Sequence, residues 1–213
     1  MTKSKLEFAP TYERLPAYLH LAERALHDGK EFISGTDIAN MLGSSSIQVR
    51  KDLSFAGLKG IPKRGYKTKE VISGINEFLT WNKPKPAFLL GAGNLGKAIM
   101  LHTDFQKCGL NITAAFDNDR RKIGKKIGNL KIADIATLSE QFDILKPEIA
   151  ILTLSYAADV ESIVSLLVEK GINGIWNFTK HTFSVNDNIA VYDADFTAGF
   201  AILCAEMKQL RKR

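Results

Sequence analysis

The stretch FLLGAGNLGKAI, residues 88–99, limits the possible folds of this chain more than any other part of the sequence. Gly91, Gly93 and Gly96 follow an apolar run and open an amphipathic stretch. A dinucleotide site requires this order. The first glycine permits a tight turn, the second lets backbone amides approach a pyrophosphate, and the third lets a helix pack closely on a strand. The motif therefore predicts a nucleotide-binding α/β domain with phosphates at a helix N-terminus.

Apolar segments alternate with helical patterns along the rest of the chain, and Pro84 and Pro86 place a domain boundary near residue 83. Continuous apolar strands that alternate with helices are typical of a parallel sheet covered on both faces. The sequence thus predicts an α/β Rossmann-like parallel-sheet domain over 84–193. Its predicted strands are 87–90, 112–116, 149–154, 174–178 and 189–192, with helices from about 94 and over 158–170.

Asp117 ends the second predicted strand, about 20 residues after Gly96, where dinucleotide-binding domains carry the acid that binds the adenosine ribose. Arg120 and Arg121 follow and could face a 2′-phosphate instead, so NADP stays a rival cofactor. A carboxylate repels that phosphate, which favours NADH or NAD. The predicted cofactor-binding residues from this motif are Gly91, Ala92, Gly93, Asn94, Leu95, Gly96 and Asp117.

A helical pattern near the start of the chain is followed by two short helices joined by a tight turn. Ser34 and Asp37 have the spacing of a capping box, Gly43 ends that helix, and Ser45 can cap the next one with Gln48 at its third position. Such a pair predicts a helix-turn-helix, whose second helix enters the major groove of DNA. We expect the apolar face of that second helix to comprise Ile47, Val49 and Leu53.

The charge of this region is one-sided, because Asp52 is the one acidic residue among the basic side chains from Arg50 to Lys69. The segment GLKGIPKRGYKTKEV predicts a hairpin or wing with a basic tip, and hence a winged helix-turn-helix over 1–83. A small protein-interaction module with basic decoration is the alternative. The predicted DNA-binding residues are Ser46, Gln48, Arg50, Lys51 and Ser54 of the helix, with Lys63 and Arg64 of the wing.

Other classes of protein leave little trace in the sequence. No apolar run approaches the ~20 residues of a membrane span and the first residues lack a signal peptide, so we expect a cytoplasmic protein without membrane contact. The cysteines and histidines have neither metal-ligand nor catalytic spacing, so we expect no metal, no catalytic residue and no enzyme. An NAD-dependent dehydrogenase and a CoA-binding protein with a basic N-terminal module remain as alternatives.

Three motifs together resemble the Rex family of redox-sensing transcriptional repressors: QVRKDLS at 48–54, KRGY at 63–66 and GAGNLGKAI at 91–99. The resemblance covers essentially the whole chain. It implies a homodimer that binds palindromic double-stranded operator DNA and is released by NADH. Phe55 is followed by Ala56 where the family has an aromatic pair, and Pro62 stands in a shorter wing, so the resemblance carries over DNA binding but not the operator sequence.

The segment 194–213 has helical apolar spacing and a basic end, and on periodicity alone it could pack on its own sheet. The resemblance implies instead that this helix is exchanged between subunits and places Phe196 near the partner's nicotinamide. In the family an aspartate, here Asp195, switches between an arginine and a tyrosine. Those two positions hold His20 and His102 here, so we expect the response to NADH to depend on pH, since imidazole titrates near neutrality.

Overall fold

The computed structural model describes residues 9–154 and 157–211, and the chain divides into two compact units. One unit consists of the chain up to Pro84 together with the short segment Lys107–Gly109. The other consists of Lys85–Gln106 and the chain from Leu110 onward.

The first unit is helical, with one small antiparallel ribbon. Leu15 and Tyr18 of its first helix form a core with Val49, Leu53 and Val71, all fully buried. The elements are α1 (Ala9–His27), β1 (Phe32–Ile33), α2 (Gly35–Leu42), α3 (Ser46–Phe55), β2 (Tyr66–Lys67) and α4 (Thr68–Phe78), with β1 paired to β2.

Both predicted helix starts are confirmed. The Ser34 hydroxyl accepts from the backbone N–H of Asp37 at 3.0 Å, and the Asp37 carboxylate accepts from the backbone N–H of Ser34 at 3.1 Å. Gly43 ends α2 in the left-handed conformation, and Ser45 caps α3 through the backbone N–H of Gln48 at 3.1 Å. These caps fix where α2 ends and α3 begins, and with them the turn of the helix-turn-helix.

The segment after α3 differs from the prediction. Only Tyr66 and Lys67 of the β-prone YKTKEV form a strand, and α4 begins at Thr68. Val71 and Ile75 lie one helical turn apart and are both buried, so tertiary burial overrides the β-propensity of the segment. The Thr68 hydroxyl donates to the Lys30 carbonyl at 2.8 Å and ties the start of this helix to the chain before β1.

The second unit is a seven-stranded sheet in the order β5-β6-β4-β3-β7-β8-β9, in which β5 pairs antiparallel with β6 and the other neighbours pair in parallel. Apart from β5, this is the strand order of a Rossmann fold. The strands are β3 (Lys85–Leu90), β4 (Leu110–Asp117), β5 (Lys126–Ile127), β6 (Leu130–Asp134), β7 (Ile149–Leu152), β8 (Gly174–Asn177) and β9 (Ala190–Asp193).

Helices cover both faces of this sheet. Leu89 of β3 packs with Ile99 and Met100 on one face, while its neighbour Phe88 packs with Phe142 and Leu167 on the other. Each predicted strand is present, but no local pattern indicated β5, β6 or α7, which are short or half-exposed. The helices are α5 (Asn94–Leu101), α6 (Thr103–Lys107), α7 (Leu138–Leu145), α8 (Ala157–Glu169) and α9 (Thr197–Leu210).

Within the residues described, α9 buries none of its side chains, and its apolar residues are among the most exposed of the chain. None of the helices over 9–154 and 157–211 has the length and apolar character needed to cross a bilayer.

Candidate nucleotide-binding and DNA-binding sites

The glycine loop lies between the end of β3 and the start of α5, and its three glycines differ in their surroundings. Gly91 has φ +102°, and a Cβ there would come within 2.7 Å of the Thr153 carbonyl oxygen. A Cβ on Gly96 would collide with the Gly91 carbonyl oxygen. At Gly93, by contrast, a Cβ would have no atom within 4 Å among the described residues beyond its immediate neighbours in the chain. The fold itself therefore requires Gly91 and Gly96, while the space at Gly93 is open.

The loop lies where the strand order reverses, between β3 and β7, which is where ligands bind in sheets of this type. Thr153 follows β7, and its hydroxyl donates to the Gly91 carbonyl at 2.6 Å. This bond holds the loop against the neighbouring strand. Sequence reasoning missed Thr153, because its role depends on β7 lying beside β3, which no local pattern reveals.

Asp117 lies at the carboxyl end of β4 and is 4% exposed. Its Oδ2 accepts from the backbone N–H of Ala92 at 2.8 Å and from Lys122 Nζ at 2.9 Å, and its Oδ1 accepts from the backbone N–H of Asp119 at 2.9 Å. Burial alone would raise the pKa of Asp117, but these hydrogen bonds outweigh it and lower the pKa. The predicted ribose-binding acid is therefore an ionised carboxylate bonded to the glycine loop.

The cation that pairs with Asp117 is not one of the two arginines that the sequence offered as partners of a 2′-phosphate. Arg121 is bonded to Asp119 at 2.9 Å and is mostly exposed, and Arg120 is exposed. Lys122, which sequence reasoning missed, is the residue that pairs with Asp117. The turn after β4 folds back on the strand end, so a lysine five residues later reaches the carboxylate.

A cavity of about 310 Å³ opens next to this strand end. Aliphatic side chains from the turn after β6 and from α8 form much of its wall, and polar groups lie at Asn118 and Ser162. Its lining residues are Asn118, Ile135, Leu138, Ser162, Ile163 and Leu166.

In the first unit, Asp52 is the centre of a buried hydrogen-bond network that joins α3 to α1. Its carboxylate is 1% exposed and accepts from Arg14 Nε at 2.7 Å, Arg14 Nη2 at 2.8 Å and the Tyr18 hydroxyl at 2.8 Å. Thr11 Oγ1 and Gln48 Nε2 each donate to it at 2.9 Å. Sequence reasoning treated Asp52 only as a lone acid in a basic run and missed Arg14.

These partners set the charge of Asp52. Burial alone would raise its pKa, but the hydrogen bonds from Arg14, Tyr18, Thr11 and Gln48 together lower the pKa to about 2. Burial and the bond to Asp52 raise the pKa of Tyr18 to about 12. The network is thus one carboxylate surrounded by donors, and it fixes the rotation of α3 about its own axis.

The exposed side of α3 carries most of the predicted DNA-binding residues. Arg50, Lys51 and Ser54 are exposed, and Arg50 Nη2 donates to the half-buried Ser46 Oγ at 3.1 Å. Gln48 is half-buried and already donates to Asp52. The prediction that Ile47 belongs to the apolar face with Val49 and Leu53 is wrong: Ile47 is 64% exposed, while the other two are fully buried.

The wing is a tight turn between Ile61 and Gly65. The backbone N–H of Arg64 donates to the Ile61 carbonyl at 3.1 Å, and Lys63 takes φ +63°, a conformation that favours glycine. A Cβ on Gly65 would lie 2.6 Å from the Ile33 carbonyl oxygen, so the turn packs directly on β1. The guanidinium carbon of Arg64 lies 4.0 Å from the centre of the Phe32 ring.

The residues of the expected switch lie in separate local settings. Asp195 Oδ1 accepts from the backbone N–H of Thr197 at 2.8 Å and from its hydroxyl at 2.7 Å, which lowers the pKa of Asp195. The His102 ring lies 4.9 Å from the Phe105 ring, and His20 is exposed on α1. Phe196 is 68% exposed and stacks on Phe178 at 5.7 Å. The switch itself, expected between subunits, stays a prediction.

Family models match both halves of the chain. Residues 9–54 match a model described as "Putative DNA-binding protein N-terminus", and residues 82–181 match the CoA binding domain.

Similar proteins match over nearly the whole length. The redox-sensing transcriptional repressor Rex of Treponema denticola is 46% identical over 95% of this chain and 96% of its own length. The Rex protein of Thermosipho africanus is 35% identical over 94% and 95%. The crystal structure of RSP, a Rex-family repressor, in complex with NAD⁺ and operator DNA aligns with a TM-score of 0.86 at 26% identity over 98% of this chain and 95% of that one. RSP in complex with NADH aligns with a TM-score of 0.85 at 26% identity over 98% and 97%. The chain therefore belongs to the Rex family of redox-sensing transcriptional repressors.

Proposed function

We propose that this protein represses transcription by binding a palindromic operator as a homodimer, and that NADH binding at the glycine loop releases the DNA. The observation that carries the proposal is that one chain holds both an α3 helix anchored by Asp52 and a glycine loop at the switch point of a Rossmann sheet. The solved relative RSP was crystallised with both NAD⁺ and operator DNA, which favours this function over a dehydrogenase or a CoA-binding protein.

The pyrophosphate, the adenosine ribose and the adenine of an NADH molecule each have a suitable counterpart in the second unit. The open space at Gly93 and the amides of Asn94 and Leu95 at the start of α5 suit the pyrophosphate. Asp117 Oδ1 has one acceptor position in use and can accept from a ribose hydroxyl. The cavity beside Asn118 has the apolar walls that an adenine ring needs.

DNA contacts are assigned to the exposed side of α3 and to the wing. Arg50 suits a base edge, whereas Lys51 and Ser54 suit phosphates. Ser46, the half-buried first residue of α3, also suits a phosphate. Gln48 uses one amide N–H for Asp52 and keeps its carbonyl oxygen and second N–H for a base. Lys63 and Arg64 at the wing tip extend the contact to the backbone or the minor groove.

A second copy of the chain is the partner assigned to α9. Its exposed apolar side chains form a surface that a monomer would leave in water, which is typical of a helix covered on association. The apolar residues exposed on and next to this helix are Phe196, Phe200, Ile202, Leu203, Met207 and Leu210. Covering them in a dimer would bring Asp195 towards the partner's other elements.

For the switch we keep the assignment of Asp195 to partners at His20 and His102. The variants His20→Arg and His102→Tyr, made singly and together, restore the side chains that the family has at these positions and should change the NADH concentration needed for release. If the substitutions do not alter release, the coupling runs through the packing of Phe196 instead.

We further propose that the protein is not an enzyme. The residues described include no cluster of three or more histidine, cysteine or acidic side chains that could hold a metal ion. The four histidines have no spaced acid or serine partner in the sequence, and turnover of NADH with carbonyl substrates would contradict this assignment.

A gel shift on DNA from upstream of the protein's own gene tests the function, with NADH and NAD⁺ titrated separately. Loss of the complex with NADH alone supports the proposal, and an unshifted DNA or equal effects of the two nucleotides would contradict it. Arg50→Ala should lose about 1 to 3 kcal/mol on the operator if Arg50 contacts a base, while Lys51→Ala should weaken binding to every sequence and flatten its salt dependence.

A further inference from the structure

Ile47 is an apolar residue on the polar side of α3. It is 64% exposed, whereas Val49 and Leu53 on the other side of the helix are fully buried. Residues three and four positions apart share a helix face, so Ile47 lies beside Arg50 and Lys51. Asp52 holds the helix in this rotation through its bonds to α1, and the exposure of Ile47 follows from that anchored rotation.

In the free protein this position brings no stability. A β-branched side chain loses conformational freedom in a helix, and one left two-thirds exposed recovers little of that cost by burial. Ile47 is the second residue of α3, in its first turn and two positions after the Ser45 cap. The first turn of a recognition helix is the part that reaches base edges in the major groove.

We propose that Ile47 is a specificity-determining residue that contacts the 5-methyl group of a thymine in the operator. This inference rests on the proposed DNA-binding function. The thymine methyl is the one apolar group that an unmodified base pair presents in the major groove, and apolar side chains recognise it by contact. Arg50 and Lys51, its neighbours on the helix, supply the polar and charged contacts that hold the helix in the groove.

The test removes the methyl group from the DNA and the side chain from the protein, separately and together. The operator is first selected from a random DNA pool by the wild-type protein. Each thymine is then replaced by deoxyuridine, which differs only in the missing methyl, and affinity is measured by fluorescence anisotropy. At one symmetric pair of thymines, deoxyuridine should weaken binding about fourfold when it replaces one of the two and about fifteenfold when it replaces both.

The Ile47→Ala variant should bind the unmodified operator about fifteenfold more weakly and should be indifferent to deoxyuridine at that same pair. The operator affinity of Ile47→Val should lie between those of the wild type and Ile47→Ala. Lys51→Ala is the matched control: it should weaken binding to all DNA but keep the full deoxyuridine effect. The urea midpoint of Ile47→Ala should be no lower than that of the wild type, because the side chain is mostly exposed and alanine favours the helix.

Three results would overturn the inference: no thymine shows a methyl effect with the wild type, Ile47→Ala keeps that effect, or Ile47→Ala loses as much affinity for non-specific DNA as for the operator. If the wild type selects no DNA at all, the proposed repressor function fails, and the inference with it. Selection of an operator without a methyl effect leaves the repressor function intact and removes only the role of Ile47.

Discussion

Two buried carboxylates, Asp52 in the first unit and Asp117 in the second, differ in how many hydrogen bonds they accept and from which groups. Asp52 accepts five hydrogen bonds, and Arg14 supplies two of them in a bidentate pair. Asp117 accepts three, of which two come from backbone N–H groups of Ala92 and Asp119. A carboxylate offers about four acceptor positions, so Asp52 is saturated and Asp117 is not.

The difference indicates different tasks for the two acids. A saturated carboxylate has nothing left for a ligand, and Asp52 serves to fix α3 on α1. Asp117 holds the glycine loop through Ala92 while keeping acceptor capacity at the edge where a nucleotide would lie. Stability should therefore depend chiefly on Asp52, and nucleotide choice on Asp117.

The largest expected effect is on stability. Asp52→Asn should destabilise the first unit by about 3 kcal/mol, at the low end for a broken buried pair because Arg14 is one-third exposed. Urea denaturation followed by circular dichroism measures the change. Asp117→Asn is the matched control and should cost less, because backbone and lysine donors can still find the remaining oxygen. Equal losses in the two variants would contradict the contrast.

The same network should make the stability of the first unit depend on pH. The pKa of Asp52 is about 2 in the folded chain and about 3.9 in an unfolded one, so its contribution is present above pH 4 and is lost as the pH falls towards 2. Denaturation midpoints of the first unit should drop over that window. Asp52→Asn should flatten the drop, and a variant that keeps the wild-type slope would show that other carboxylates cause it.

The next effect is on nucleotide choice. Asp117→Ser removes a charged acceptor, so NADH should bind about tenfold or more weakly, while NADPH should lose less because Lys122 is freed to meet its 2′-phosphate. Titration of the nucleotides by calorimetry gives both affinities. In the double variant with Lys122→Gln, NADPH should lose as much affinity as NADH does. Tighter binding of NADPH than NADH by the unmutated protein would reverse the role given to Asp117.

The smallest effect concerns the wing, where Phe32 lies against Arg64. A cation–π contact at an exposed site is worth about 0.5 to 1 kcal/mol, so Phe32→Leu should weaken operator binding about two- to fivefold, and Phe32→Tyr should not. In an Arg64→Ala background, Phe32→Leu should have no further effect. The same loss in both backgrounds would mean that Phe32 acts on the fold of the ribbon and does not act through Arg64.

Local signals in the sequence were sufficient for the helix caps at Ser34 and Ser45 and for the glycine loop, because each depends on residues a few positions apart. They failed for α4, where burial of Val71 and Ile75 overrides β-propensity. They also failed for Ile47, because the rotation of α3 is set by the bonds of Asp52 to Arg14 and Tyr18, which precede it by more than 30 residues. Thr153 was missed for the same reason, because only the folded sheet brings β7 beside β3. Lys122 was missed because the turn after β4 brings it back to Asp117, five residues earlier.

Control of DNA binding by the glycine loop can be tested at Gly93, because a Cβ there would meet no described atom beyond its immediate neighbours in the chain. The measurement is release of fluorescent operator DNA on titration with NADH, for the wild type and for Gly93→Ala. We expect Gly93→Ala to fold and bind the operator as the wild type does, but to require far more NADH for release, because the methyl group obstructs the pyrophosphate. Release of both proteins at the same NADH concentration, or no release of the wild type at saturating NADH, would show that the glycine loop does not control DNA binding.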